Sequence, residues 1–222
     1  MRKVIVLVLV GLMMLGTLSC SSWNRQQKGA VVGATAGGVV GGVIGKQAGN
    51  TAAGAILGAV IGGAAGAYIG NYMDNQAEEM EQDLEGAKIE RIGEGIKITF
   101  DSGLLFAVDK AALNDASKTN LTNLSVILTK YPDTEILLEG HTDATGTEEH
   151  NLELSRARAQ SVANFLAGQN VRETRFTIMG YGELQPISSN ETVDGRKQNR
   201  RVEVAIYAND KLKKAAESKT QG

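Results

Sequence analysis

The sequence predicts an α+β protein. A two-layer C-terminal domain, β-α-β-α-β-β with both helices on one face of a mixed sheet, follows a glycine-zipper helical hairpin. Three observations carry this. Fourteen of the 27 glycines fall between Gly29 and Gly70, whereas nearly all the charge follows Met73. The glycines recur every four residues. From Ala87 onward, alternating apolar runs interleave with two amphipathic helical patterns.

The N-terminus comes first. "MRK" is a positive n-region, "VIVLVLVGLMML" an apolar core, and "GTLSC" places a small residue before Cys20. This predicts a secretory signal over 1–19, too short for a comfortable transmembrane helix. A signal ending at the sole cysteine resembles a lipoprotein signal, which implies acylation of Cys20. Thr17 stands where the usual box has leucine, and cleavage elsewhere would leave Cys20 a free thiol. Residues 20–28 then form a lipidated cysteine and polar tether, and two or more acyl chains hold stably in a bilayer.

Glycines 29, 33, 37, 41, 45 and 49 form one ladder, and 54, 58, 62, 66 and 70 a second. Such stripes favour close helix–helix contact. In water each interior glycine costs about 0.5–1 kcal/mol relative to alanine, while in a bilayer the helix is needed to pair the backbone. Gly29 to Gly45 would rise about 26 Å at ~1.5 Å per residue, slightly short of a hydrocarbon core of about 30 Å. Residues 29–72 are therefore expected as a membrane-associated helical hairpin turning near Lys46. The alternative is a hairpin or self-associating stalk outside the bilayer. Met73, Ala77, Met80 and Leu84 put an apolar stripe on an acidic helical linker over 73–86, expected to pack on its own chain.

Residues 87–208 are expected as the folded domain. "KIERI" and "GIKITF" read as a hairpin and "NDASKTNLTNLSVILTKYPD" as a helix with Leu121, Leu124, Ile127 and Leu128 inward. "TEILLEG" is a buried strand. "TEEHNLELSRARAQSVANFLAGQ" is a second helix with Thr147 as N-cap and Gly168 past its end. "RFTIMGYG" and "RRVEVAIYA" complete the strands, and 209–222 reads as a polar tail. A net charge of −2 gives no basis for a nucleic-acid partner.

Asp143 falls in the loop after "TEILLEG", and Arg158 near the middle of the second helix, with Asn151 and Leu154 on the same side. A carboxylate and a guanidinium facing one pocket would hold a zwitterion, ammonium to Asp143 and carboxylate to Arg158. Other readings exist: Arg158 pairing with Asp143 to fix the loop, a metal held by His141, His150 and Asp143, or a Ser155–His141–Asp143 triad. The last two lack a third histidine and a nucleophile elbow. No cofactor, resident metal or catalytic acid pair is expected, so the chain does not read as an enzyme. Arg200 and Arg201 alternate across a strand, so one flanks the pocket while the other is solvated or sheet-pairing.

"EGHTDATGTEEHNLELSRARAQSV", "GYGELQP", "SNETVDGR" and "QNRRVEV" together resemble the OmpA-like peptidoglycan-binding domain over Ile96 to Ala208. The resemblance implies that Asp143 and Arg158 grip the diaminopimelate of the peptidoglycan stem peptide. Thr142, Leu154, Ser155 and Ala159 match the motif. Asp109 is the remaining expected contact, although Val108 precedes it where the family usually has an aromatic. The whole chain is similar to glycine-zipper outer-membrane lipoproteins. That implies a lipid-anchored tether in the outer membrane, with its domain in the periplasm and peptidoglycan and membrane lipid as partners. The alternative is a homo-oligomeric glycine-zipper membrane assembly or pore, with the wall domain as anchor.

Overall fold

The computed structural model describes residues 51–220. The signal segment, Cys20, the tether and the first glycine ladder lie outside the described residues. The elements are α1 (Thr51–Gly58), α2 (Gly63–Asp83), β1 (Ala87–Ile92), β2 (Gly95–Asp101), α3 (Ser102–Leu105), α4 (Asp115–Lys130), β3 (Thr134–Gly140), α5 (Glu148–Gly168), β4 (Phe176–Gly180), α6 (Val193–Asn199), β5 (Arg201–Ala208) and α7 (Asp210–Thr220). The sheet order is β1-β2-β5-β3-β4. Only β3 and β4 run parallel, and α5 makes the crossover that a parallel pair requires.

Strand alternation explains the layers. Ile96, Ile98 and Phe100 of β2, Ile136 and Leu138 of β3, and Val202, Val204 and Ile206 of β5 share one face and are fully buried. Leu121, Leu124 and Leu128 of α4 and Val162 and Leu166 of α5 close over them in one core, so both expected helices lie on one face. Thr147 caps α5, its hydroxyl accepting from the His150 N–H at 3.2 Å. Gly168 is the last residue of α5 rather than one past it, and Asn170 takes the left-handed conformation beyond.

Three expectations are corrected outside that framework. The second glycine ladder is not one continuous helix. Its helix breaks after Gly58 and restarts at Gly63, because Gly62 and Gly63 both adopt positive φ. The Glu94 carboxylate holds the break by accepting from the N–H groups of Ile61 (3.0 Å) and Gly62 (2.8 Å). No described helix is long and apolar enough to cross a membrane. Second, the limits at 73 and 87 do not separate the linker from the domain. α2 runs through residue 73 without interruption, and Ile69, Met73, Ala77, Met80 and Leu84 are buried in the same core as the sheet. The stripe read on the linker is real, and its partner is this chain. Third, residues 210–220 form a helix rather than a polar tail. Asn209 caps it, accepting from the Leu212 N–H at 2.9 Å, and Leu212 and Ala216, four apart, are buried against α2 and the core.

α1 lies on the other face of the sheet, where Ala52, Ala55 and Ile56 pack on Leu137 and Ala205. The end of β3 is also tightly covered. A Cβ at Gly140 would sit 1.9 Å from the Ser155 carbonyl oxygen, so α5 approaches the strand as closely as only glycine permits. That approach sets the distance between the loop after β3 and the second turn of α5.

Candidate ligand-binding site

A cavity of about 640 Å³ opens where the loop after β3 meets α5, α6 and the segment following α3. Asp109, Thr142, Asp143, Asn151, Leu154, Arg158 and Arg200, the seven residues singled out in the sequence, all line it. Thr142, Asp143, Asn151 and Arg158 are nevertheless almost completely buried, so their orientation is set by the protein before any ligand arrives.

Asp143 is held from several sides. Its Oδ1 accepts from the Thr145 N–H at 2.9 Å, its Oδ2 takes the Arg200 guanidinium, and its carbonyl accepts from Asn151 Nδ2 at 3.2 Å. Asn151 Nδ2 also donates to Glu183 at 2.6 Å, and the Thr142 N–H donates to the Gly182 carbonyl at 2.9 Å. Burial pushes the Asp143 carboxyl up, but Arg200 and the Thr145 contacts outweigh it and hold the group below its ordinary value of 3.8. The carboxylate is therefore ionised throughout the neutral and mildly acidic range.

Arg158 stands on the other wall. Its guanidinium lies 5.3 Å from the centroid of the Phe106 ring, and its Nε donates to the Lys110 carbonyl at 3.0 Å. Its terminal amino groups have no hydrogen-bond partner among the described residues. Burial draws the Arg158 pKa down, while Asp109 and Asp143 draw it up. Asp143 is thus paired with Arg200, and the reading in which Arg158 only fixes the loop through Asp143 does not hold. Arg200 and Arg201 do diverge, as alternation requires. Arg200 reaches the cavity, whereas Arg201 is neither solvated nor merely sheet-pairing but buried on the opposite face with Glu203.

Several lining residues were not singled out in the sequence. Phe106, three residues before Asp109, supplies the aromatic surface that Val108 lacks, and Val108 itself is exposed. An aromatic shortly upstream of an acidic loop residue was the available signal. Asp101, Arg196 and Lys197 add further charge of both signs to the rim. His150 Nε2 donates to the Asp109 carboxylate at 2.8 Å across the mouth, and Asp109 itself holds a positive φ of 54°. His150 is therefore paired, not simply solvated.

The other two readings of these residues do not assemble. His141 is buried on the opposite face, stacked on Tyr181, far in orientation from His150 and its Asp109 partner. The Ser155 hydroxyl donates to the Leu152 carbonyl at 2.8 Å and accepts from the Gly182 N–H at 2.9 Å. It ties α5 to the β4 loop. What the cavity can do is hold an ampholyte: a fixed carboxylate on one wall, a guanidinium with open donors on the other, and both charges along the rim.

Residues 105–200 match the model of the OmpA family. This part of the chain thus resembles the OmpA family. Residues 1–74 match a YMGG-like Gly-zipper model. The chain is similar to the probable lipoprotein YiaD of Escherichia coli, 37% identical over 121 residues that cover 54% of this chain and 55% of that protein. It is also similar to the peptidoglycan-binding protein ArfA of Mycobacterium bovis, 37% identical over 103 residues, 46% of this chain and 32% of that one. In these alignments the chain spans about half or less of its relatives' length. Among solved structures, the cell wall anchor of the T6SS from Pseudomonas aeruginosa superposes with a TM-score of 0.52 at 28% identity. That match covers 64% of this chain and 97% of that one. The OmpA-like domain thus has the α+β fold of that solved structure, with α1, α2 and α7 built around it.

Proposed function

We propose that this chain is an outer-membrane lipoprotein, anchored through acylated Cys20, whose OmpA-like domain grips peptidoglycan non-covalently in the periplasm. The stem peptide's diaminopimelate would place its free ammonium at Asp143 and its carboxylate on the open donors of Arg158. The observation that carries this is the arrangement of the two charges. Asp143 is locked by Arg200 and Thr145, Arg158 is braced by Phe106 and Lys110, and the two face one cavity without neutralising each other. The names of ArfA and of the cell wall anchor support the ligand class, and the YiaD similarity supports the lipoprotein reading. The function is that of a tether, with no reaction assigned to it.

Each charge-assisted contact contributes about 1.5–3 kcal/mol, which corresponds to roughly 10- to 150-fold in affinity. Asp143→Ala and Arg158→Ala should each weaken binding of free meso-diaminopimelate by that factor in calorimetry. Each should also remove the protein from the pellet when it is sedimented with sacculi. Unchanged affinity in both variants would discard the site.

The same contacts set the pH dependence. Because the Asp143 carboxyl lies below its ordinary value of 3.8, its charge is present at and above that pH and is lost only as pH falls further. Capture of diaminopimelate should therefore be flat from about pH 8 to pH 5 and fail only below the ordinary aspartate range. A midpoint at pH 5 or 6 in a binding titration would show that a different group governs capture.

A further inference from the structure

We infer that the face of the sheet beneath α1 holds a site for a divalent transition metal of the zinc class, formed by Glu139, His141 and Glu203. Nothing in the wall-binding reading uses these residues. Glu139 and Glu203 are directly opposed in the β3–β5 register, and His141 follows Glu139 by two positions, so all three point to the same face. Their donor atoms lie within 4.8 Å of one another, and all three side chains are buried.

The second observation is independent of that clustering. Neither ring nitrogen of His141 has a hydrogen-bond partner among the described residues, and the Glu139 carboxylate makes no hydrogen bond of ordinary geometry, its neighbours being the Ala52 backbone, the Tyr181 hydroxyl and His141 Nε2 at 3.9 Å. Glu139 and His141 are 0% and 1% exposed. Buried polar atoms are almost always satisfied, so an imidazole with both nitrogens unpartnered beside a weakly satisfied carboxylate indicates a missing partner. Burial, with Arg201 and Lys97 nearby, holds the His141 imidazole in its neutral form, the one that ligates metal.

The surroundings select the kind of ion. One imidazole and two carboxylates suit zinc and its first-row neighbours, bound at about 2.0–2.2 Å. Calcium and magnesium prefer six or more oxygens and bound water, which this closed face does not offer. Arg201 Nε donates to Glu203 Oε1 at 2.6 Å, and Lys97 pairs with Glu90 at 3.2 Å. Those cations offset part of the acidic charge, leaving Glu139 and His141 as the principal donors and one Glu203 oxygen as the third. Tyr181 stacks on His141, and Gln185 donates to the Thr51 hydroxyl of α1 at 3.0 Å, so α1 closes the site from above. A bound ion would clip β3 to β5 under that lid.

The test uses the full chain carrying Cys20→Ser, which removes the sole thiol. Stripped with a chelator and titrated with zinc chloride, it should take up one equivalent by elemental analysis and melt at a higher temperature. Calcium and magnesium chloride should leave the melting temperature unchanged. Glu139→Gln, an isosteric change, should fold by circular dichroism and lose at least tenfold in zinc affinity, as should His141→Ala. His150→Ala should bind as the parent does. The inference is overturned if zinc neither binds stoichiometrically nor shifts the parent's melting temperature, or if Glu139→Gln retains full affinity. Either failure would leave the Asp143 and Arg158 experiments untouched.

Discussion

A chain cut at Ala87 is expected to lose its cooperative unfolding transition, although the cut falls at the start of the first strand and leaves the whole OmpA-family match intact. The loss comes from α2. Ile69, Met73 and Met80 are fully buried and Leu84 nearly so, all in the core under the sheet. Burying one large apolar side chain contributes about 1.5–3 kcal/mol, so these four contribute roughly 6–12 kcal/mol. The net stability of a typical domain is about 5–15 kcal/mol. Removal of α2 would also bare the apolar face of α7, since Leu212 and Ala216 belong to the same cluster. A urea titration followed by near-ultraviolet circular dichroism checks this, with a chain beginning at Thr51 as the control. Equal midpoints for the two chains would show that α2 is an accessory and that the sheet, α4 and α5 suffice.

The second large effect belongs to Arg175, one residue before β4. Its guanidinium is buried and donates to the carbonyls of Leu128 (2.7 Å), Tyr131 (3.2 Å) and Thr134 (2.8 Å) and to the Thr134 hydroxyl (2.6 Å). Leu128 and Tyr131 lie at the C-terminal end of α4, where helical carbonyls have no partner within the helix. One arginine therefore satisfies that helix end, the turn after it and the first residue of β3. Arg175→Ala would strand these acceptors in the interior. With about 1–3 kcal/mol lost for each unsatisfied buried group and partial relaxation, the expected cost is about 3–5 kcal/mol. Arg175→Lys should recover only part of this, because an ammonium cannot reproduce the planar fork. Denaturant midpoints at constant slope would measure it. A loss below about 1 kcal/mol would mean that water replaces the guanidinium at no cost.

Arg175 also shows where sequence reading stops. In "NVRETRF" nothing separates it from Arg172, which is exposed, because charge patterning says which residues prefer water and not which has a helix end beside it. The ladder "GAILGAVIGGAAGAYIG" was ambiguous for a related reason. Glycine every four residues specifies a close-packing surface without specifying its partner. The structure shows that Ala52, Ala55 and Ile56 press on the back of the sheet, that the chain breaks at Gly62–Gly63, and that α2 then enters the core. The helix at Asp210–Thr220 was missed because two buried positions, Leu212 and Ala216, are too few to outweigh its charge.

By itself the sequence determined the strands, the two main helices, the Thr147 cap and the residues that would meet around Asp143 and Arg158. Alternation at two residues and recurrence at 3.6 are properties of the local backbone, and they decide which side chains share a face. Only the tertiary structure decided what stands opposite each face. It paired Asp143 with Arg200 rather than Arg158, set Phe106 beneath Arg158, and buried Glu139 and His141 together under α1. Those outcomes depend on contacts between residues 48 to 87 positions apart, such as Lys110 with Arg158 and Ala52 with Glu139. The period of a helix or strand carries no information at that range.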